Sequence, residues 1–419
     1  MFALLAVAAG SFASAPSDSL DPVFAGLPFE QWLAGGEQAR LHWAASVSRP
    51  HLSVHQRLRS EVEIRLDGAE LAKRRGEGQL LVLLQITDPQ GRRYQNHLSL
   101  DLAKTEKGIA KQDMVLTFSA FFTPGNYKIA VALYDTATRE HALKLTNLDV
   151  LPLKADPLPD VWRDLPAVEY LPAADPPDSW YLPSLIAPVH LPLKSPKPVD
   201  IELIVNLTPS ESGSHAAEAQ SRNLSVLIPA LKVIAALNGL NVELLDLARQ
   251  RVVFRQDDVR LLDWAAMRRA LAPAKAATID LQSLERHRQS AAFFVAEVAR
   301  IVAAPVKTQR ILLVLSAPLA FEQKVDLEPI SLAASPACRV FYIRYHSFQP
   351  PPTRPAVTRS SRRGPFGRWG QLPDPDIAAL QFDQLESTLK PLAPRLFDVD
   401  TPEEFRKALA ALLAEIANL

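Results

Sequence analysis

Between His51 and Leu153 apolar and polar residues alternate in short stretches with a period of two. Arg59 to Leu66 (RSEVEIRL) is the cleanest. Gln79 to Thr87 is mostly apolar, and Tyr94 to Leu102, Asp113 to Phe122, Tyr127 to Asp135 and Leu143 to Leu151 follow. Successive strand side chains point to opposite faces of a sheet, so the pattern predicts half-buried strands. Asp88-Pro89-Gln90-Gly91 and Thr123-Pro124-Gly125-Asn126 supply the turn residues between them. With almost no helical periodicity, residues 51–153 read as an all-β antiparallel sandwich. Glu70 to Gly78 (ELAKRRGEG) reads as a solvated hairpin tip within it.

From residue 199 the pattern changes. Asp200 to Leu207, Arg310 to Leu315 and Arg339 to Ile343 are short, nearly unbroken apolar runs, the pattern of strands covered on both faces. Asn241 to Leu247, Arg251 to Phe254 and Arg395 to Val399 read as further strands. Helical stripes fall between them at Asn223 to Leu237, Val259 to Leu271, Leu281 to Val302 and Ala379 to Leu389. Thr401-Pro402-Glu403-Glu404 then opens a last helix with an N-cap threonine and a capping-box glutamate. Prolines recur every few positions over residues 154–198, which predicts an extended connector. Residues 16–50 are polar and proline-punctuated, with one short helix at Phe29 to Leu33 carrying Trp32.

Two resemblances follow from these stretches. Pro124-Gly125-Asn126-Tyr127, leading into an alternating strand that ends at Asp135, resembles the Ig-like and fibronectin-type modules of exported bacterial proteins. Residues 199–419 resemble a von Willebrand factor A (vWA) domain, through the first strand with its Ser/Thr-rich loop, RILLVLS at mid-domain and the ending FDVDTPEEFRKALAALLAEI. The resemblance implies a Rossmann-like α/β C-terminal domain behind the Ig-like sandwich. It also implies where a magnesium or manganese ion would sit: an Asp-x-Ser-x-Ser loop after the first strand, a Thr from a later loop and an Asp after the middle strand. Here the first loop reads Asn206-Leu207-Thr208-Pro209-Ser210, Thr278 stands for the Thr, and Ser316-Ala317-Pro318 replaces the Asp-bearing turn. Both anionic positions are gone. A hard divalent cation needs carboxylate oxygen to offset its lost water shell, so the site is degenerate and no metal or other cofactor is expected. Glu211 and Asp326 are carboxylates that could substitute.

Composition narrows the function classes. Lys plus Arg and Asp plus Glu number 46 each, so no global charge bias points to nucleic acid. The single cysteine, Cys338, excludes an intrachain disulfide and a Cys-based zinc site. Met1 to Ala15 (MFALLAVAAGSFASA) reads as a secretory leader ending in Ala13-Ser14-Ala15, too short to span a bilayer. No nucleophile elbow, phosphate loop, dinucleotide fingerprint or H-E-x-x-H zinc motif is present, and no catalytic residue is assigned. The basic insertion at residues 348–374 carries Arg354, Arg359, Arg362, Arg363 and Arg368 with Phe366 and Trp369, against one acid, Asp374. Arginine with interleaved aromatics suits an acidic protein, a polyanionic glycan or membrane headgroups. The sequence thus predicts an exported, non-catalytic interaction or adhesion protein. Partner-binding residues would be Ser210, Ser212, Arg362, Arg363, Arg368 and Trp369, with a metal-dependent adhesion domain, an envelope assembly subunit, or an enzyme gathering acids such as Asp246, Asp263 and Glu285 in a cleft as the alternatives.

Overall fold

The computed structural model describes residues 19–39, 41–171, 186–191, 193–209, 216–272, 287–306, 308–319, 338–346 and 383–419. The chain forms two compact units that are not contiguous in sequence. One comprises the residues up to His51, Leu58–Lys154 and Asp164–Ala173; the other Leu52–Arg57, Ala155–Arg163 and Ala174–Leu419.

In the N-terminal unit the elements run α1 (Pro22–Ala25), α2 (Phe29–Gly35), β1 (Trp43–Val47), β2 (His51–Leu52), β3 (Leu58–Leu66), α3 (Gly68–Lys73), β4 (Gln79–Thr87), β5 (Arg93–Asp101), β6 (Met114–Phe122), β7 (Gly125–Asp135), β8 (His141–Val150) and β9 (Val168–Leu171). Two antiparallel sheets result, in the orders β5-β4-β7-β8 and β1-β3-β6-β9. β3 alternates buried and less buried positions along its length, as its period-2 sequence requires. Strand β9 lies inside the stretch read as connector and pairs with β6, so part of that stretch is sheet. Tyr127 fixes the β6–β7 turn: its hydroxyl lies 2.8 Å from the carbonyl oxygen of Thr123 and 3.1 Å from that of Ala167. Phe24, Phe29 and Trp32 of the two N-terminal helices bury themselves against Leu81, Leu83, Ala130, Ala132 and Leu143 of one sheet.

The hairpin tip expected at Glu70 to Gly78 is instead helical at its start. Asp67 caps α3 by accepting from the backbone N–H groups of Ala69 and Glu70. Arg74 then turns inward, 13% exposed, onto Glu70, Asp135 and Glu140 at 3.1, 2.9 and 2.7 Å. Three carboxylates already occupy it, so it offers nothing to an acidic partner.

The C-terminal unit runs β10 (Val199–Asn206), α4 (Ala216–Ala235), β11 (Leu240–Asp246), β12 (Arg251–Val259), α5 (Trp264–Leu271), α6 (His287–Ala303), β13 (Gln309–Ser316), β14 (Cys338–Tyr345), α7 (Gln384–Leu389), β15 (Arg395–Val399) and α8 (Pro402–Ala417). Its sheet has the order β12-β11-β10-β13-β14-β15, with β12 antiparallel at one edge and the other neighbours parallel. Phe294, Val298 and Ile301 of α6 and Leu385 and Leu389 of α7 pack on Ile204, Leu312, Val314 and Tyr342. Both halves of the capping box of α8 are formed, Thr401 accepting from Glu404 N–H and Glu404 from Thr401 N–H.

The expected fold class, a Rossmann-like (vWA-like) α/β domain behind an Ig-like sandwich, is corrected by this arrangement. Among the described residues fifteen strands stand against eight helices, and the sheets are antiparallel or mixed, so the fold is mainly β. No clear Rossmann-like alternation is completed: no helix is described between β13 and β14, and only the six-residue α7 between β14 and β15. The physical reason is that an apolar run reports burial on both faces and not what does the burying. None of the described helices is long and apolar enough to cross a membrane.

Candidate functional site at the strand ends of the C-terminal unit

Strands β10 and β13 are parallel neighbours with Val205 opposite Leu315, so the next residues, Asn206 and Ser316, stand side by side where both strands end. Neither is exposed at all. The Asn206 amide Nδ2 donates to Ser316 Oγ at 2.9 Å, and its Oδ1 accepts from the Thr208 backbone N–H at 3.0 Å. Ser316 Oγ in turn donates to the Ala317 carbonyl at 2.6 Å. Thr208 Oγ1 accepts from the backbone N–H groups of Leu247 and Ala248, at 2.8 and 3.3 Å, which ties this loop to the turn after β11. Asn223 of α4 donates to the Leu207 carbonyl at 2.8 Å.

One strand further along, Tyr342 of β14 donates its hydroxyl to Asp383 Oδ2 at 2.8 Å. Asp383 caps α7, its Oδ1 accepting from Leu385 N–H at 3.1 Å and from Leu319 N–H at 3.2 Å. Arg344 Nη1 stands 3.5 Å from the same carboxylate and closer, at 2.7 Å, to Glu386, while its Nε meets Asp398 at 2.6 Å. Burial pushes the Asp383 carboxyl above its ordinary range, and the Tyr342 hydroxyl, Leu319 N–H and the Arg344 charge only partly oppose it. Burial likewise lifts the Tyr342 phenol, helped by the neighbouring carboxylate.

A raised carboxyl beside a phenol is acid–base chemistry in kind. Here, however, Asp383 is 6% and Tyr342 0% exposed. A cavity of about 10 Å³ in the same unit, lined by Val54, Val226, Ala230, Leu315, Ile343, Tyr345, Val399 and Phe405, contains none of the site's polar groups. Asn206, Thr208, Ser316 and Asp383 spend their donors and acceptors on loop positions and helix starts. Among the described residues no three His, Cys, Asp or Glu side chains are grouped to hold a metal ion.

Asp383→Asn is expected to flatten the pH dependence of stability. A carboxyl whose folded pKa lies above its unfolded value of about 3.9 binds its proton more tightly when folded, so stability falls as pH rises through that window. The amide keeps the Oδ1 acceptor but has no charge to bury. Urea midpoints between about pH 4 and about pH 8 should therefore fall less in the variant than in the wild type.

Of the residues singled out in the sequence, the structure brings Asn206, Thr208 and Ala317 together at one strand end, and all three are committed to structure there. Ser210, Ser212, Thr278, Arg362, Arg363, Arg368, Trp369, Glu211, Asp326 and Glu285 lie outside the described residues. Of the other acids, Asp246 holds Arg249, and Asp263 caps α5. Tyr342, Arg344 and Asp383 were missed. The signal for Asp383 was its place as an N-cap, hidden by reading the helix as starting at Ala379.

No protein-family model matches the chain, and no curated protein matches it. Among solved structures, one from the Northeast Structural Genomics Consortium has 15% identity and a TM-score of 0.18, over 27% of this chain and 92% of its own. A glycosyl hydrolase family 2 member from Bacteroides cellulosilyticus has 8% identity and a TM-score of 0.17, over 72% of this chain and 38% of its own. Likenesses this slight bear on neither fold nor activity, and none points to the vWA family.

Proposed function

We propose that this chain is an exported, non-catalytic protein that binds another protein without the help of a metal ion. The observation that supports the reading best is the commitment of the strand-end side chains. Among the described residues, the strand-end groups that a reaction or an ion could use are bonded to the fold itself, from Asn206 on Ser316 to Asp383 on Tyr342. Recognition would then fall to side chains outside that network. In the sequence these are Ser210 and Ser212 of the strand-end loop and Arg362, Arg363, Arg368 and Trp369 of the basic insertion. Arginine suits the task, since its planar fork meets carboxylates two bonds at a time and stacks on rings. An acidic protein or glycan surface is the matching partner, and the leader-like pattern of residues 1–15 supports an encounter outside the cytoplasm.

The test is affinity capture with the full-length chain, beside a variant carrying Arg362→Glu, Arg363→Glu and Arg368→Glu. A partner retained in EDTA by the wild type and lost from the variant is the expected result. A partner that needs Mg²⁺ or Ca²⁺, or is held equally by both chains, would overturn the reading.

A further inference from the structure

Helix α8 buries Phe405, Leu409, Leu412 and Ile416 along one stripe, and beside them Arg406, a guanidinium only 1% exposed. A charge so deeply buried requires a partner. It finds one 250 residues away: Asp156 meets it in a two-point pair, Nε to Oδ1 at 2.6 Å and Nη2 to Oδ2 at 2.7 Å. Nη2 also donates to the Leu158 carbonyl at 2.8 Å, and the Trp162 ring lies 4.7 Å from the guanidinium carbon. The indole N–H in turn donates to the Gln56 carbonyl at 2.6 Å, and the Gln56 amide to the carbonyl of Pro402, the first residue of α8. Val161, between these anchors, is 2% exposed and accepts at its carbonyl from His190 N–H at 2.9 Å.

One guanidinium thus reads a carboxylate, a backbone carbonyl and an aromatic face in the same seven-residue stretch, Asp156-Pro157-Leu158-Pro159-Asp160-Val161-Trp162. This is how arginine recognises peptides. The stretch is also shaped in advance. Two prolines fix its backbone, Asp156 accepts from Leu158 N–H at 2.9 Å, and Pro159–Trp162 forms a 3-10 turn. Little freedom remains to be lost on docking.

We propose that α8 carries a peptide-binding socket, centred on Arg406, for an acidic–aromatic segment, and that residues 156–162 of this chain are its built-in occupant. The socket is a different surface from the one invoked for the partner protein and does not depend on that reading.

The experiment uses the full chain with Asp156→Ala and Trp162→Ala, which keeps the socket and disables the occupant. A fluorescent peptide of residues 154–164 is titrated and its anisotropy read. Saturable binding to this variant is expected, with at least tenfold weaker binding to the wild type, whose socket is filled, and to the same variant carrying Arg406→Ala. Equal binding to all three chains, or none to a double variant whose circular dichroism matches the wild type, would overturn the proposal. Should the double variant not fold, hydrogen exchange on Asp156→Asn decides. Amides of α8 exchanging at least tenfold faster, with β4 and β7 unchanged, support the socket, and unchanged α8 amides overturn it.

Discussion

Replacing Asp156 by alanine is expected to destabilise the C-terminal unit by about 3–5 kcal/mol, the range for stripping one partner from a buried ion pair. Arg406 is left with a carbonyl, an indole face and a charge it cannot hydrate; its Nη1 is already buried without a hydrogen-bond partner among the described residues. The reciprocal change, Arg406→Met, should cost less, because methionine fills the space without a charge and leaves Asp156, 10% exposed, nearer to water. Acid supplies the internal control. Burial pushes the Asp156 carboxyl up, but hydrogen bonds from the Arg406 guanidinium and the Leu158 N–H outweigh it and hold the group below its usual range. A depressed carboxylate contributes stability above its unfolded pKa of about 3.9 and loses it as pH falls through the lower folded value. Urea unfolding of wild type and Asp156→Ala should therefore differ most near neutrality and converge in acid. A constant difference across pH would mean the pair is not the source.

The second large effect belongs to the N-terminal unit. Gly68→Ala should destabilise it by about 3 kcal/mol, at the top of the range for overpacking. Gly68 opens α3, and a Cβ there would overlap the backbone carbonyl oxygens of Gln112 and Ile109. Backbone cannot swing aside as a side-chain tip can, so α3 or residues 109–112 must shift. Arg74 sits just past α3, so the three-carboxylate cluster on Asp135 and Glu140 should loosen too. Thermal unfolding of Gly68→Ala beside Gly76→Ala, where added bulk meets open space, separates crowding from any general loss of glycine.

Strands were legible because their code is local. RSEVEIRL alternates over β3, and the six-residue run RILLVL lies within β13, whose positions are almost all buried. The α8 capping box was legible for the same reason: Thr401 and Glu404 are three residues apart. What the sequence hid was non-local. Nothing near Arg406 announces that its partner is Asp156, and Asp156 stands in a proline-rich stretch that reads as a tether. Arg74 looked like a solvated charge because two of its three acids lie 61 and 66 residues away. The fold class failed for a related reason, since apolar runs do not specify what covers a strand. At the strand ends, Asn206 and Thr208 were found as residues. Their function as internal hydrogen-bond partners depends on Ser316 and Leu247, which only the register brings alongside.

The most direct measurement is thermal unfolding of the full-length chain in EDTA and then in Mg²⁺, Mn²⁺ or Ca²⁺, because an ion bound only by the folded state must raise its stability. With Asn206 bonded to Ser316, and no carboxylate at Thr208 or Ala317, the expected result is one melting profile in all four conditions. A reproducible upward shift with any one ion would contradict the account, since the strand-end groups would then be available to a ligand after all.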